Sequence, residues 1–290
     1  GGYAVERVFQ ELLEKSNFRT QHPNLATFFF IPIRCSSYIL DYPTEHEGLI
    51  QHIRDHWVEA ITFKYPYWSQ SSGANHFYIC SHDVGAKVAE GLMKNAIGLV
   101  STADYDDPYF IPHKVRPHAR CREPHVHYRE PYARCGDNKQ KNMAVVYCSN
   151  YECNSILATS WQNFNRMCYT VLNSDLFYYS VNCYCFSQGW SPRLVEAISM
   201  GCVPVIISDH YHLPLQGIVE WSKIAIILPE AQISDLKKVL LLVSSTQLYE
   251  MQQYIKSVYH HFIWNYPAQP NDAFHSVMLQ LWKRRHVVKY

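Results

Sequence analysis

Residues 191–209, SPRLVEAISMGCVPVIISD, constrain the fold more than any other stretch of this chain. Ser191 suits a helix N-cap, because its hydroxyl can accept from the free backbone N–H groups of a first turn. Pro192 suits the first helical position, where its missing N–H costs nothing. Gly201 then ends the helix where a left-handed residue is wanted. Val203 to Ile207 is a short, β-branched apolar run of the kind buried in a parallel sheet. A helix stopped by a glycine and followed at once by a buried strand points to an α/β fold.

The same alternation recurs along the chain. Val5, Val8, Phe9, Leu12 and Leu13 recur at helical spacing and predict a first amphipathic helix. A strand over 28–33, a helix over 47–61 and a strand over 77–80 follow. A second set starts near 143–147 and continues through strands over 182–186, 203–207 and 225–228, with helices after Ser191, over 233–243, over 247–262 and over 273–285. At 290 residues and 48% hydrophobic composition, the chain can bury the cores of two domains. The expected architecture is α/β: two Rossmann-like domains facing across a cleft, residues 1–141 and 142–290. Ligands would bind beyond the carboxyl ends of the strands.

Residues 113–141 read as an irregular basic connector. Cys121, His125, His127 and Cys135 are chemically suitable zinc ligands there, but their spacing matches no zinc module. A charge run of this kind is a solvated loop, so the connector reads as a mobile interdomain segment. A net charge of +1 gives no field for nucleic acid or membrane surfaces. No apolar run approaches the ~18 residues of a membrane span, and residue 1 opens no signal peptide. Ten cysteines are many for a reducing compartment. Cys80, Cys148 and Cys202 lie in or beside apolar strands and read as small buried hydrophobes. There is no Asn-x-Ser/Thr sequon.

Arg193 and Glu196 are three residues apart and share a helix face. At a helix mouth an anion meets backbone N–H groups, and Arg193 adds a bidentate donor. Glu196, one turn deeper, can accept from ribose hydroxyls. The arrangement suits a sugar-nucleotide diphosphate, against the plainer reading of an intrahelical pair contributing ~0.2–0.5 kcal/mol. Asp83, beside His82 at a strand end, can take a proton directly or orient the imidazole; otherwise it caps a turn. Asp209 lines the same kind of strand end or merely turns the chain. His76 reads as a core histidine.

The pattern Ser191-x-Arg193-x-x-Glu196-Ala197, then Gly201-Cys202-x-Pro204-Val205-Ile206, resembles the donor-binding region of the exostosin-like glycosyltransferases, most closely the plant cell-wall type. Tyr3-Ala4-Val5-Glu6, Tyr65-Pro66-Tyr67-Trp68, Gly73-Ala74-Asn75-His76-Phe77, His82-Asp83-Val84-Gly85 and Phe110-Ile111-Pro112-His113-Lys114 precede it in family order. Leu213-Pro214, Trp221, His261-Phe262 and Asp272-Ala273-Phe274-His275 follow. The resemblance implies a glycosyltransferase B architecture, with residues 1–141 on the acceptor side and 142–290 binding the nucleotide sugar. It implies inverting transfer from a UDP-linked donor to a cell-wall polysaccharide or glycan, without an obligatory metal. It also implies a Golgi enzyme whose membrane anchor precedes this region, working with other glycosyltransferases and not with nucleic acid. On this reading Ser191, Arg193, Glu196 and Asp209 hold the donor, and His82 and Asp83 carry the proton.

Three departures stand out. Ser187 replaces the family's proline in a shortened loop before Ser191, residues 149–157 lack two expected arginines, and Val115 follows Lys114 where an aspartate is usual. They motivate a second reading, a weakened or inactive member acting as a partner in a synthase complex. A third is a carbohydrate- or phosphate-binding α/β protein without transferase chemistry.

Overall fold

The apolar face of helix α1 (Val5–Lys15) buries Val5, Val8, Phe9 and Leu12. This is what an amphipathic stripe at 3.6-residue spacing does when a sheet is available to cover it. The sheet is four-stranded and parallel, in the order β1 (Phe29–Ile31), β2 (His76–Cys80), β3 (Ile97–Val100), β4 (Val115–Pro117). Phe29 pairs with His76, Phe77 with Ile97 and Gly98 with Val115. These facts come from a computed structural model that describes residues 5–35, 48, 51–81, 85, 87–89, 91–101, 103, 115–117, 143–147, 193–199, 201–209 and 211–286.

Strand periodicity sorts β2 into two cores. Phe77 and Ile79 join Phe9, Leu12, Ile97 and Leu99 on one side. Tyr78 and Cys80 join Ile31, Ile53, Val58, Trp68 and Met93 on the other. The second core is closed by a π-helical stretch, Ile53–Val58, that runs into α2 (Glu59–Lys64) and then α3 (Tyr67–Ser71). Covering both faces is what a parallel sheet requires. Gly98 makes room for the fully buried Tyr78 beside it, since a Cβ there would stand 2.7 Å from the phenol oxygen.

A second parallel sheet has the order β5 (Met143–Tyr147), β6 (Val203–Ile207), β7 (Ile226–Leu228). Val145 pairs with Val205, and Val205 with Ile226. Helix α4 (Arg193–Ser199) leads into β6 and buries Leu194, Ala197 and Ile198. It stops as expected at Gly201, which has φ +72°. The Gly201 N–H donates to Ile198 O at 3.0 Å and the Cys202 N–H to Ala197 O at 2.9 Å, the paired bonds of a Schellman motif. Helix α5 (Leu236–Leu242) and helix α6 (Ser245–Val258) follow, α6 being capped by Ser244, whose hydroxyl accepts from the Gln247 N–H. Among the described residues no helix is long and apolar enough to cross a membrane.

The chain divides into two compact units, Gly1–His125 with Trp264–Tyr290, and Val126–Ile263. This differs from a single cut at 141/142. The closing helix α7 (Ala273–Lys283) buries Ala273, Phe274, Val277 and Leu281 in the same core as α1, so it belongs to the first unit. Strands β3 and β4 are not among the strands expected from sequence: β3 is an apolar run interrupted by Gly98, and β4 lies inside the stretch read as an irregular connector. The remainder of that connector, its four candidate zinc ligands and the expected strand over 182–186 lie outside the described residues.

The reading of Cys80 and Cys202 as plain hydrophobes is corrected. Cys35 and Cys80 form a disulfide with a Cα–Cα distance of 5.5 Å, and Cys202 is disulfide-bonded as well. The parallel pairing of β1 with β2 sets Cys80 beside the chain that leaves β1, a proximity no spacing rule reveals.

His76 is a core histidine, 3% exposed, stacked on Phe29 at 5.0 Å and against Trp68 at 4.7 Å. Its Nδ1 has no hydrogen-bond partner among the described residues. Burial lowers its pKa from the usual 6.5 to about 4. As pH falls through this window the unfolded chain takes up a proton that the folded one refuses, so stability is present above 6.5 and lost on the way to 4. Between about pH 7 and pH 4.5, urea unfolding is expected to show a loss about 2 kcal/mol larger in wild type than in His76→Phe.

Candidate functional site

In open α/β sheets, groups that meet ligands leave from the carboxyl ends of strands. In the second unit the central strand β6 ends at Ser208-Asp209. The Ser208 N–H donates to Leu228 O at 3.1 Å, and Asp209 Oδ1 accepts from the Glu230 N–H at 3.2 Å. Asp209 is exposed and ties the exits of β6 and β7 together. It thus holds a turn at the carboxyl end of the sheet.

The chain beyond Asp209 is held with unusual firmness for a loop. Tyr211, His212, Leu213 and Leu215 are buried. Leu215 adopts φ +57°, a left-handed conformation that a γ-branched residue takes only when its surroundings fix it. Its carbonyl accepts from the N–H groups of Ile218 and Val219, both at 3.0 Å. The Trp221 indole N–H donates to Pro214 O at 2.8 Å, and the Trp221 ring meets Phe262 edge-on at 5.7 Å. Leu213-Pro214, Trp221 and Phe262, all singled out in the sequence, therefore form a brace around the β6 exit.

Arg193 opens α4, and Glu196 stands one turn in. Their side chains, and Ser191 altogether, lie outside the described residues, as do His82 and Asp83. The Asp-x-Asp triplet Asp104-Tyr105-Asp106, which the sequence reading passed over, lies outside them too.

In the first unit the sequence reading gave no role to Glu6, which it quoted only within Tyr3-Ala4-Val5-Glu6. It is 3% exposed, at the edge of the apolar face of α1. One carboxylate oxygen accepts from the Ser81 N–H at 2.7 Å and from the Ser81 hydroxyl at 2.9 Å. The Ser101 hydroxyl donates to Ser81 O at 2.8 Å. Ser81 and Ser101 follow β2 and β3 directly, so this buried polar cluster sits at the carboxyl end of the sheet. An acid in the first turn of an otherwise apolar helix face was the available signal. Glu6, Cys35 and Cys80 bring possible ligand atoms within 4.8 Å of one another. With the two sulfurs bonded to each other they are not thiolates, and the group does not make a metal centre.

The exostosin GT47 domain matches over residues 1–242. A "probable glycosyltransferase" of Arabidopsis thaliana is 26% identical over 305 residues, covering 99% of this chain and 65% of the relative. A "probable glucuronosyltransferase" of Oryza sativa subsp. japonica is 26% identical over 327 residues, covering 97% of this chain and 75% of the relative. A "probable beta-1,4-xylosyltransferase" of Arabidopsis thaliana is 25% identical over 317 residues, covering 95% and 74%. The chain spans 58–65% of the length of three Arabidopsis glycosyltransferases it matches.

Proposed function

Because this chain belongs to the exostosin GT47 family, we propose that it is an inverting glycosyltransferase of the two-domain glycosyltransferase B kind, moving a sugar from a UDP-linked donor to a cell-wall polysaccharide or glycan. The observation that supports the reading is that Arg193 and Glu196, two members of the sequence motif Ser191-x-Arg193-x-x-Glu196, belong to a helix that ends in a Schellman turn and feeds the central strand of a parallel sheet. Arg193 neutralises the diphosphate as it leaves, and Glu196 accepts from the ribose hydroxyls. Ser191 caps the helix mouth, and Asp209 lines the donor side at the β6 exit. Asp83, with His82 beside it, takes the proton from the acceptor hydroxyl.

No metal is required on this reading, since Arg193 supplies the charge that a divalent ion otherwise provides. The Cys35–Cys80 disulfide and the disulfide at Cys202 support an oxidising lumen, and with the family a Golgi one. The names of the relatives make UDP-xylose and UDP-glucuronic acid the first donors to try.

The test is a calorimetric titration of UDP, UDP-xylose and UDP-glucuronic acid against wild type and Arg193→Ala, with EDTA and again with Mn²⁺. Wild type is expected to bind UDP in EDTA, and Arg193→Ala to bind it about 10- to 100-fold more weakly, the range of one lost charge-assisted pair. Binding that appears only with Mn²⁺ overturns the metal-free mechanism. No nucleotide binding by well-folded protein overturns the transferase reading.

A further inference from the structure

The Glu6 cluster has a consequence beyond packing. A buried carboxylate loses its water, and an apolar side chain at the same place on α1 would bury without that cost. Among the described residues, what the carboxylate gains is a hold on Ser81. Ser81 donates to it through both its N–H and its hydroxyl, at 2.7 and 2.9 Å, and its carbonyl is taken by the Ser101 hydroxyl at 2.8 Å. The preceding residue, Cys80, is tied covalently to Cys35. The exit of β2, an inner strand of the first sheet, is thus pinned from three sides: from α1 by Glu6, from the β1 side by the disulfide, and from the β3 side by Ser101. Ordinary strand exits do not need this. An exit that must deliver chemistry to a fixed place does, because a misplacement of ~1 Å can cost 100-fold in rate.

We propose that Glu6 is a positioning residue of the transfer reaction: by fixing both donors of Ser81 it sets where the chain leaves β2, immediately before His82 and Asp83 in the sequence. This rests on the transferase reading, in which those two residues carry the proton.

Two measurements separate the proposal from that reading. The first is amide hydrogen exchange on wild type, Glu6→Gln and Glu6→Ala. Glu6→Gln keeps an acceptor oxygen for Ser81, and Glu6→Ala removes it. Exchange over residues 81–83 is expected to rise by about 10-fold or more in Glu6→Ala, with residues 77–79 of β2 unchanged and Glu6→Gln close to wild type. Equal loosening of β2 and its exit, or no change at either, overturns the proposal. Should Glu6→Ala fail to fold, Ser101→Ala, which removes the hydroxyl that donates to Ser81 O, gives the same contrast at smaller amplitude.

The second measurement is UDP release from UDP-xylose and UDP-glucuronic acid. Glu6→Ala is expected to lower kcat by about 30- to 100-fold with KM for the donor within about twofold, and Glu6→Gln to restore most of kcat. A KM effect with kcat intact overturns the proposal. If wild type neither binds UDP nor releases it, the transferase reading falls, and exchange at residues 81–83 alone decides whether Glu6 holds the strand exit.

Discussion

Cys35→Ala is expected to lower the stability of the first unit by about 4 kcal/mol, the loop-closure value for a crosslink of this span. The bond joins residues 45 apart, and the loop it closes contains the π-helical stretch, α2, α3 and most of β2. Without it the unfolded chain regains the freedom of that loop, while the folded sheet keeps the same hydrogen-bond register. Cys80→Ala should cost the same, and the double variant no more than either single one, because one bond is lost in each case. Urea unfolding without reductant reads these values directly. Thiol labelling gives the opposing result: free Cys35 and Cys80 in native, unreduced wild type would mean that the bond does not exist, and the expected loss would vanish with it.

The same bond shows what sequence could and could not reveal. The α/β class, α1, β2, β5, β6 and the Gly201 stop were legible because each is a local pattern: a period, a β-branched run, a glycine at a helix end. The hydrogen bonds at Gly201 bear out the helix stop in detail. The Cys35–Cys80 pair was not legible, because it follows from which strands are neighbours, and short strands such as β1 and β3 announce no partner. The assignment of α7 fails for the same reason. Its apolar stripe was visible, but a stripe does not say which sheet covers it, and here Phe274 packs on Phe9 of α1 with ring centroids 5.6 Å apart.

The candidate site divides along the same line. Arg193, Glu196, His82 and Asp83 are candidates named from motifs, and motifs mark what a site must contain chemically. Glu6 was quoted only as part of the opening segment and given no role, because its value lies in a contact with Ser81, 75 positions away. Asp209 was found, but its neighbour Glu230 was not, and that contact gives Asp209 a turn-holding role at the strand exit. Leu213-Pro214 and Trp221 were recognised only as part of a pattern. Their hydrogen bond explains the pattern mechanically, by bracing the loop that leaves β6.

Asp272→Ala is expected to cost about 3 kcal/mol, through a lost helix cap and a lost buried carboxylate with its hydrogen bonds. Asp272 is 1% exposed and stands immediately before α7. Its Oδ1 accepts from the His275 N–H at 3.1 Å and lies 2.9 Å from His275 Nδ1, while Oδ2 accepts from the Gln269 N–H at 2.7 Å. One side chain therefore caps the helix and closes the turn before it, where Asn271 takes φ +64°. Asp272→Asn keeps the cap through its remaining oxygen but turns an amide donor toward the Gln269 N–H, so about half the loss is expected. Because α7 carries Phe274 against Phe9 and Phe18, fraying at its start opens the core that α1 shares. The donor motif Ser191-x-Arg193-x-x-Glu196 belongs to the other unit. UDP affinity at a temperature where the variant is folded should therefore match wild type, in contrast to Arg193→Ala. A change in UDP affinity without a change in unfolding free energy would assign Asp272 to the binding machinery and overturn its reading as a fold anchor.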